Sequence, residues 1–94
     1  MYIIEFGNIS KKDLKKIDKQ NQSFILDSLD SFIEKFSNEY EISLMKSGKI
    51  KKLQGEKEVL YRLKLRSYRI IYKKYENKLL ILVVHVTTRQ DAYK

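Results

Sequence analysis

Arg62, Lys64 and Arg66 recur at every second position of Val59-Leu60-Tyr61-Arg62-Leu63-Lys64-Leu65-Arg66. In an extended chain that spacing puts three cations on one face at ~6.5 to 7 Å intervals, comparable with the phosphate repeat of a nucleic-acid strand. Like charges in a row repel one another unless an anion lies across them. Arg69 follows across a short turn and Arg89 comes just after the last apolar run, so these cations are expected near one end of one sheet. Such a set can grip a phosphodiester and stabilise the charge that develops on its oxygens under attack.

Metal-assisted attack lacks ligands in this sequence. Cysteine is absent and His85 is the single histidine, so a zinc site has no usual donors. Asp27, Asp30 and Glu34 fall on a helical stretch away from the basic segment and read as solvated positions. RNA supplies its own nucleophile, the 2′-hydroxyl beside the phosphorus, and then needs a base, an acid and cations. DNA has no such hydroxyl, so a metal-free cationic site favours RNA. His85 lies inside Val83-Val84-His85-Val86-Thr87, where packing or a hydrogen bond at the sheet margin is expected rather than catalysis. Of the seven tyrosines, Tyr61, Tyr68 and Tyr72 fit strand positions. Tyr93 lies beyond the sheet, where its ring can stack on an unstacked base, hydrogen-bond a ribose or anchor the tail on the domain.

The elements that carry these residues follow from periodicity. Tyr2 to Phe6 reads as a short strand ended by Gly7-Asn8, and Ser10-Lys11-Lys12-Asp13 has capping-box spacing ahead of a short, basic helix. Ile25, Leu29, Phe32 and Phe36 keep the spacing of one helical face, which Leu26 and Ile33 widen, so two helices should pack as a hairpin. Glu39 to Ser47 reads as a connection. Gly48 to Gly55 is strongly basic and framed by two of the three glycines, and reads as an exposed loop whose Lys49, Lys51 and Lys52 can meet a polyanion. From Val59 the period becomes two, with a reversal at Ser67 into Tyr68 to Tyr75 and another at Glu76-Asn77-Lys78 into Leu79 to Thr87. Leu79 to Val84 is apolar on both faces, so this strand should lie inside the sheet. The expected fold is α+β in the order β-α-α-β-β-β, an antiparallel sheet with the helix hairpin on one face.

The chain has 94 residues, enough for a single domain spanning 1–94, with 20 lysines and arginines against 12 acidic residues and a net charge of +8. That imbalance attracts polyanions, with nucleic acid the first partner to consider and simple solubilisation the plain alternative. No stretch approaches the ~20 apolar residues of a membrane span. A small chain without cysteine fits a reducing compartment, so a cytoplasmic location is expected.

Lys51-Lys52-Leu53-Gln54-Gly55, Tyr61-Arg62-Leu63-Lys64-Leu65-Arg66-Ser67-Tyr68-Arg69-Ile70-Ile71-Tyr72 and Arg89-Gln90-Asp91-Ala92-Tyr93 together resemble the RelE/ParE toxin superfamily across nearly the whole chain. That superfamily divides into RelE-like ribonucleases, which cut messenger RNA in the ribosomal A site, and ParE-like proteins that poison DNA gyrase. The complete set Arg62, Lys64, Arg69, Arg89 and Tyr93 is similar to the RelE-like branch. The resemblance implies that Arg62 and Lys64 hold and polarise the scissile phosphate, Arg69 stabilises its charge, Arg89 positions it and Tyr93 stacks on or orients the nucleotide. Lys64 and Tyr93 remain the candidates for general base. Thr87-Thr88 departs from the Gly-His found before the arginine in many relatives. On this reading the protein is a metal-independent endoribonuclease needing no cofactor, with messenger RNA, the ribosomal A site and a cognate antitoxin as partners. A ParE-like gyrase inhibitor is the alternative, and an inactive RNA-binding relative the third.

Overall fold

The computed structural model describes residues 1–55 and 57–88. They form β1 (Ile3–Phe6), α1 (Asn8–Lys15), α2 (Lys19–Lys35), α3 (Asn38–Lys46), β2 (Ile50–Gln54), β3 (Val59–Leu65), β4 (Tyr68–Tyr75) and β5 (Leu80–Thr88), with a turn of 3-10 helix at Glu76–Lys78. The strands make one sheet in the order β1-β5-β4-β3-β2, so the apolar β5 lies inside it, as its sequence requires.

One face of the sheet carries the core. Ile25, Leu29, Phe32 and Phe36 of the α2 stripe pack on Leu63, Leu65, Ile70, Tyr72, Ile81, Val83 and Val86. The Phe32–Tyr72 ring pair at 5.9 Å ties α2 to the sheet, and Phe36 at the end of α2 packs edge-on against Phe32 at 5.3 Å. Asp18 caps α2, its carboxylate accepting from the Asn21 side chain at 2.8 Å and the Asn21 backbone at 3.2 Å, and these donors hold the carboxyl below its ordinary value.

The α+β architecture stands, with two additions and one change of direction. Residues 38–46 form a third helix rather than a connection, and Ile50–Gln54 forms a strand of its own, paired antiparallel with β3 at the sheet edge, rather than a loop. The sheet is mixed, because β1 runs parallel to β5 with Ile3 opposite Leu80 and Phe6 opposite Val83. The third helix is read poorly from hydrophobic period because its only buried residue is charged: Glu41 is 2% exposed and Ile42 faces solvent. Its ends are nonetheless well formed. Ser37 accepts from Tyr40 N–H at 3.0 Å, and at the other end Gly48 (φ 84°) donates to Met45 O while Lys49 donates to Leu44 O, the paired bonds of a Schellman cap.

The capping box expected at Ser10 does not form. Gly7 is the N-cap of α1 without a side-chain bond, and Ser10 Oγ donates to Gly7 O at 2.8 Å. Asp13 turns instead toward β5, where its Oδ2 accepts from Val86 N–H at 3.0 Å. The helix thereby flanks the portion of β5 that β1 leaves uncovered, since β1 pairs only with Leu80 to Val83.

Candidate nucleic-acid interface

Register assigns the other sheet face. Lys64 lies opposite Arg69 and Arg69 opposite Thr87; one row along, Lys51 lies opposite Arg62, Arg62 opposite Ile71 and Ile71 opposite His85. Neighbouring strands stand ~4.8 Å apart, so Lys64, Arg62 and Arg69 fall within the span of one nucleotide's phosphate and sugar. Lys49 adjoins this group, its carbonyl accepting from Lys64 N–H at 2.9 Å.

The three cations differ in how they are held. Lys64 faces solvent. Arg62 is 4% exposed and its Nη2 donates to Gly48 O at 2.8 Å, which ties β3 to the Schellman cap of α3. Arg69 is 5% exposed, and its Nη1 donates to Arg66 O at 3.0 Å and Tyr68 O at 2.9 Å, bracing the β3–β4 turn. Each guanidinium thus fixes a turn at the edge of the basic surface. Arg69 Nε and Thr87 Oγ1, on paired positions, are buried and have no hydrogen-bond partner among the described residues. Buried polar atoms without partners mark places where a polar ligand or water is accommodated.

Arg66 does not continue the row. β3 ends at Leu65, and Arg66 takes φ 56° as the first central residue of a two-residue turn, so the alternation that would have carried it to the basic face stops. Its guanidinium lies over the Phe24 ring at 3.8 Å, on the α2 side. Lys52 pairs with Tyr61 and so alternates away from Arg62 and Lys64, remaining solvent-exposed. Lys49, Lys64 and Arg66 also border a cleft of about 680 Å³ whose other wall includes Lys35, Phe24 and Tyr40. Arg89 and Tyr93 lie outside the described residues.

Two clusters were not foreseen. Glu41, within the segment read as a connection, accepts from Tyr72 Oη at 2.6 Å and pairs with Lys74 Nζ at 2.5 Å beneath α3. Burial, and then the Glu41 carboxylate, push the Tyr72 phenol far above its ordinary range. Burial works against the Lys74 ammonium, but its bond to Glu41 outweighs that and raises it on balance. The second cluster is Asp13 with His85, Oδ2 to Nδ1 at 3.5 Å. No three histidine, aspartate or glutamate side chains converge as metal ligands among the described residues, and no helix is long and apolar enough to cross a membrane.

Comparison with known proteins gives this arrangement a context. The family model of the ParE toxin of type II toxin–antitoxin systems matches residues 4–93. A chain of the archaeal RelE–RelB complex from Pyrococcus horikoshii is 25% identical, with a TM-score of 0.69 over 97% of this chain and 98% of that one. A chain of the intact RelBE toxin–antitoxin complex of E. coli is 23% identical, with a TM-score of 0.66 over 94% and 96% of the two. A RelBE-type complex from Mycobacterium tuberculosis contributes a match at 18% identity and TM-score 0.63 over 94% and 98%. The last two similarities concern the fold. No curated protein sequence matches this chain.

Proposed function

This chain belongs to the RelE/ParE superfamily and is the toxin of a type II toxin–antitoxin system, and on that premise we propose that it is a metal-independent endoribonuclease that cuts messenger RNA in the ribosomal A site. One observation carries the reading: Lys64, Arg62 and Arg69 share two adjacent rows of one sheet face with Lys51, and no carboxylate occupies those rows. A surface of that sign and spacing holds a phosphodiester and stabilises charge developing on it, while the RNA brings the nucleophile. Lys64 contacts the scissile phosphate. Arg62 and Arg69, already anchored to turn carbonyls, present their charge without reorganising. Arg89 and Tyr93 complete the set on the resemblance alone, positioning the phosphate and stacking on the nucleotide.

The partners follow from the same surface. An acidic or amphipathic segment of the cognate antitoxin covers the basic face and keeps the toxin silent, and the solved relatives named above are toxin–antitoxin complexes. Messenger RNA and ribosomes place the activity in the cytoplasm.

A specific observation favours a second reading, since the matching family model is that of ParE toxins. On that reading the protein is a binding module that inhibits DNA gyrase. Incubation with translating ribosomes, followed by mapping of messenger 5′ ends, tests the first reading: new ends inside the A-site codon are expected. No new ends, together with a fall in gyrase supercoiling, would establish the second.

A further inference from the structure

We propose that Asp13 and His85 form a carboxylate–imidazole pair at the edge of the basic face, with His85 taking the proton from the attacking 2′-hydroxyl and Asp13 positioning it; this rests on the ribonuclease reading above.

The pair is built by two elements that have no local reason to meet. Asp13 stands at the capping-box position of α1, yet its carboxylate is drawn across to β5, where Oδ2 accepts from Val86 N–H at 3.0 Å and lies 3.5 Å from His85 Nδ1. A carboxylate pinned by a backbone N–H cannot follow solvent, so it offers the imidazole a fixed acceptor. That contact favours the tautomer carrying its proton on Nδ1 and leaves Nε2 with a free lone pair, the state a base requires. At 3.5 Å the two are in charge contact, a separation that commonly tightens to a hydrogen bond once substrate binds. The His85 side chain is 47% exposed and that of Asp13 22%, so the imidazole stands in front of its carboxylate.

Placement on the sheet supplies the second line of argument. The β4–β5 register shifts between Ile71 and Tyr72, whose partners are His85 and Val83, so β5 carries an extra residue at Val84. Such a bulge re-aims the side chain next to it and is found beside active sites. Ile71 separates His85 from Arg62 in the same row, about 10 Å at ~4.8 Å per strand. Arg69 is its diagonal neighbour, paired with Thr87 two residues on, at roughly 7 to 8 Å. A nucleotide whose phosphate rests on Lys64, Arg62 and Arg69 can direct its ribose toward His85. Among the described residues of these two rows, His85 alone has its side chain set against a fixed carboxylate.

The chemistry balances without a co-reactant. His85 Nε2 removes the 2′-hydroxyl proton, the 2′-oxygen bonds to phosphorus, and the bond from phosphorus to the 5′-oxygen breaks. The leaving oxygen takes a proton from water, and the imidazolium returns its own to solvent. The products are a 2′,3′-cyclic phosphate and a 5′-hydroxyl end.

The test uses the intact chain on ribosomes programmed with a defined message, read as single-turnover cleavage. His85→Ala should cut at least ~100-fold more slowly, the range of a lost general base, and added imidazole should restore part of the rate. Asp13→Asn keeps an oxygen for Val86 N–H and removes the charge, so the cleavage rate should fall about tenfold or more with ribosome affinity unchanged. His85→Gln, with melting recorded, replaces the alanine variant if that one fails to fold. A His85 variant within threefold of wild type, or a loss that imidazole leaves untouched, overturns the pair while the ribonuclease reading stands. A wild-type protein that cuts nothing overturns both.

Discussion

The Tyr72 hydroxyl donates to Glu41 Oε2 at 2.6 Å across 31 residues of sequence, joining the middle of β4 to α3. Lys74, two residues on and on the same sheet face, holds the other carboxylate oxygen. α3 leans Tyr40, Leu44 and Met45 on the core half-buried, and Glu41 is its one fully buried residue. Docking of this helix therefore combines those apolar contacts with a satisfied polar cluster, and the same helix carries the Gly48 cap to which Arg62 is tied.

Glu41→Ala should lower stability by about 3 kcal/mol or more, because it strands a buried ammonium and a buried phenol together. For a domain of this size that corresponds to a fall in Tm of roughly 12 °C or more. Thermal melting by circular dichroism checks it, and a change under ~4 °C would show that the cluster contributes little.

Alkaline pH should loosen the same cluster. The Tyr72 and Lys74 pKa values are both raised in the folded chain, so above their ordinary values of 10.0 and 10.5 the unfolded state has released protons that the folded state keeps. Stability falls with pH wherever the unfolded state binds fewer protons. Urea midpoints should hold steady between pH 7 and 9 and drop beyond pH 10, with a smaller drop in Tyr72→Phe. An equal drop in that variant would assign the effect to other groups.

Lys64→Ala should separate function from folding better than either arginine. Lys64 is solvent-exposed, so its removal should leave Tm within about 2 °C, while cleavage falls by ~100-fold or more if it contacts the phosphate. Arg69→Ala should lose both activity and roughly 1 to 3 kcal/mol of stability, because the Arg66 and Tyr68 carbonyls lose their donor. Arg69→Lys keeps the charge and is expected to recover stability only in part, since one ammonium does not reproduce the guanidinium's reach to both carbonyls. Unchanged cleavage in Lys64→Ala would remove it from the site.

The contrast between these residues shows where reading from sequence works. α2 and β3 were legible because their apolar residues display a period, Ile25, Leu29 and Phe32 at helical spacing and Tyr61, Leu63 and Leu65 at strand spacing, and β5 because its run is apolar on both faces. The shared face of Arg62 and Lys64 follows from the same rule. α3 was hidden because Tyr40, Ile42 and Leu44 alternate like a strand, while in the helix Tyr40 and Leu44 share the inward face with the charged Glu41 and Ile42 turns to solvent. The parallel pairing of β1 with β5 has no local signature at all. Arg66 leaves the row because a positive φ closes the turn one residue early, and Asp13, whose spacing suits a cap of its own helix, accepts from the distant Val86 N–H instead. For Asp13 and Glu41 a long-range partner overrode the local pattern.

Cleavage should proceed in chelator. The described residues gather no three metal-ligating side chains, and the reaction proposed needs only the 2′-hydroxyl, a base and cations. EDTA with spermidine added to maintain ribosome integrity should leave the rate within about twofold. Loss of activity that returns on adding a transition metal, with ribosomes intact throughout, would displace the metal-independent mechanism.

Tyr93 supplies the last test, because its two roles separate cleanly. If its ring contacts the substrate, removing Tyr93 and Lys94 should lower cleavage by about 1 to 3 kcal/mol of lost stacking, roughly 5- to 150-fold, with melting unchanged. If the ring anchors the tail on the domain, truncation should lower Tm and leave the rate of the folded fraction near wild type. Tyr93→Phe divides the first outcome, since it keeps the stacking surface and deletes only the hydroxyl. With His85 as the base, phenylalanine should cost little. A loss as large as that of His85→Ala would move proton transfer onto the phenol and away from the imidazole, so this substitution also bears on which side chain takes the proton.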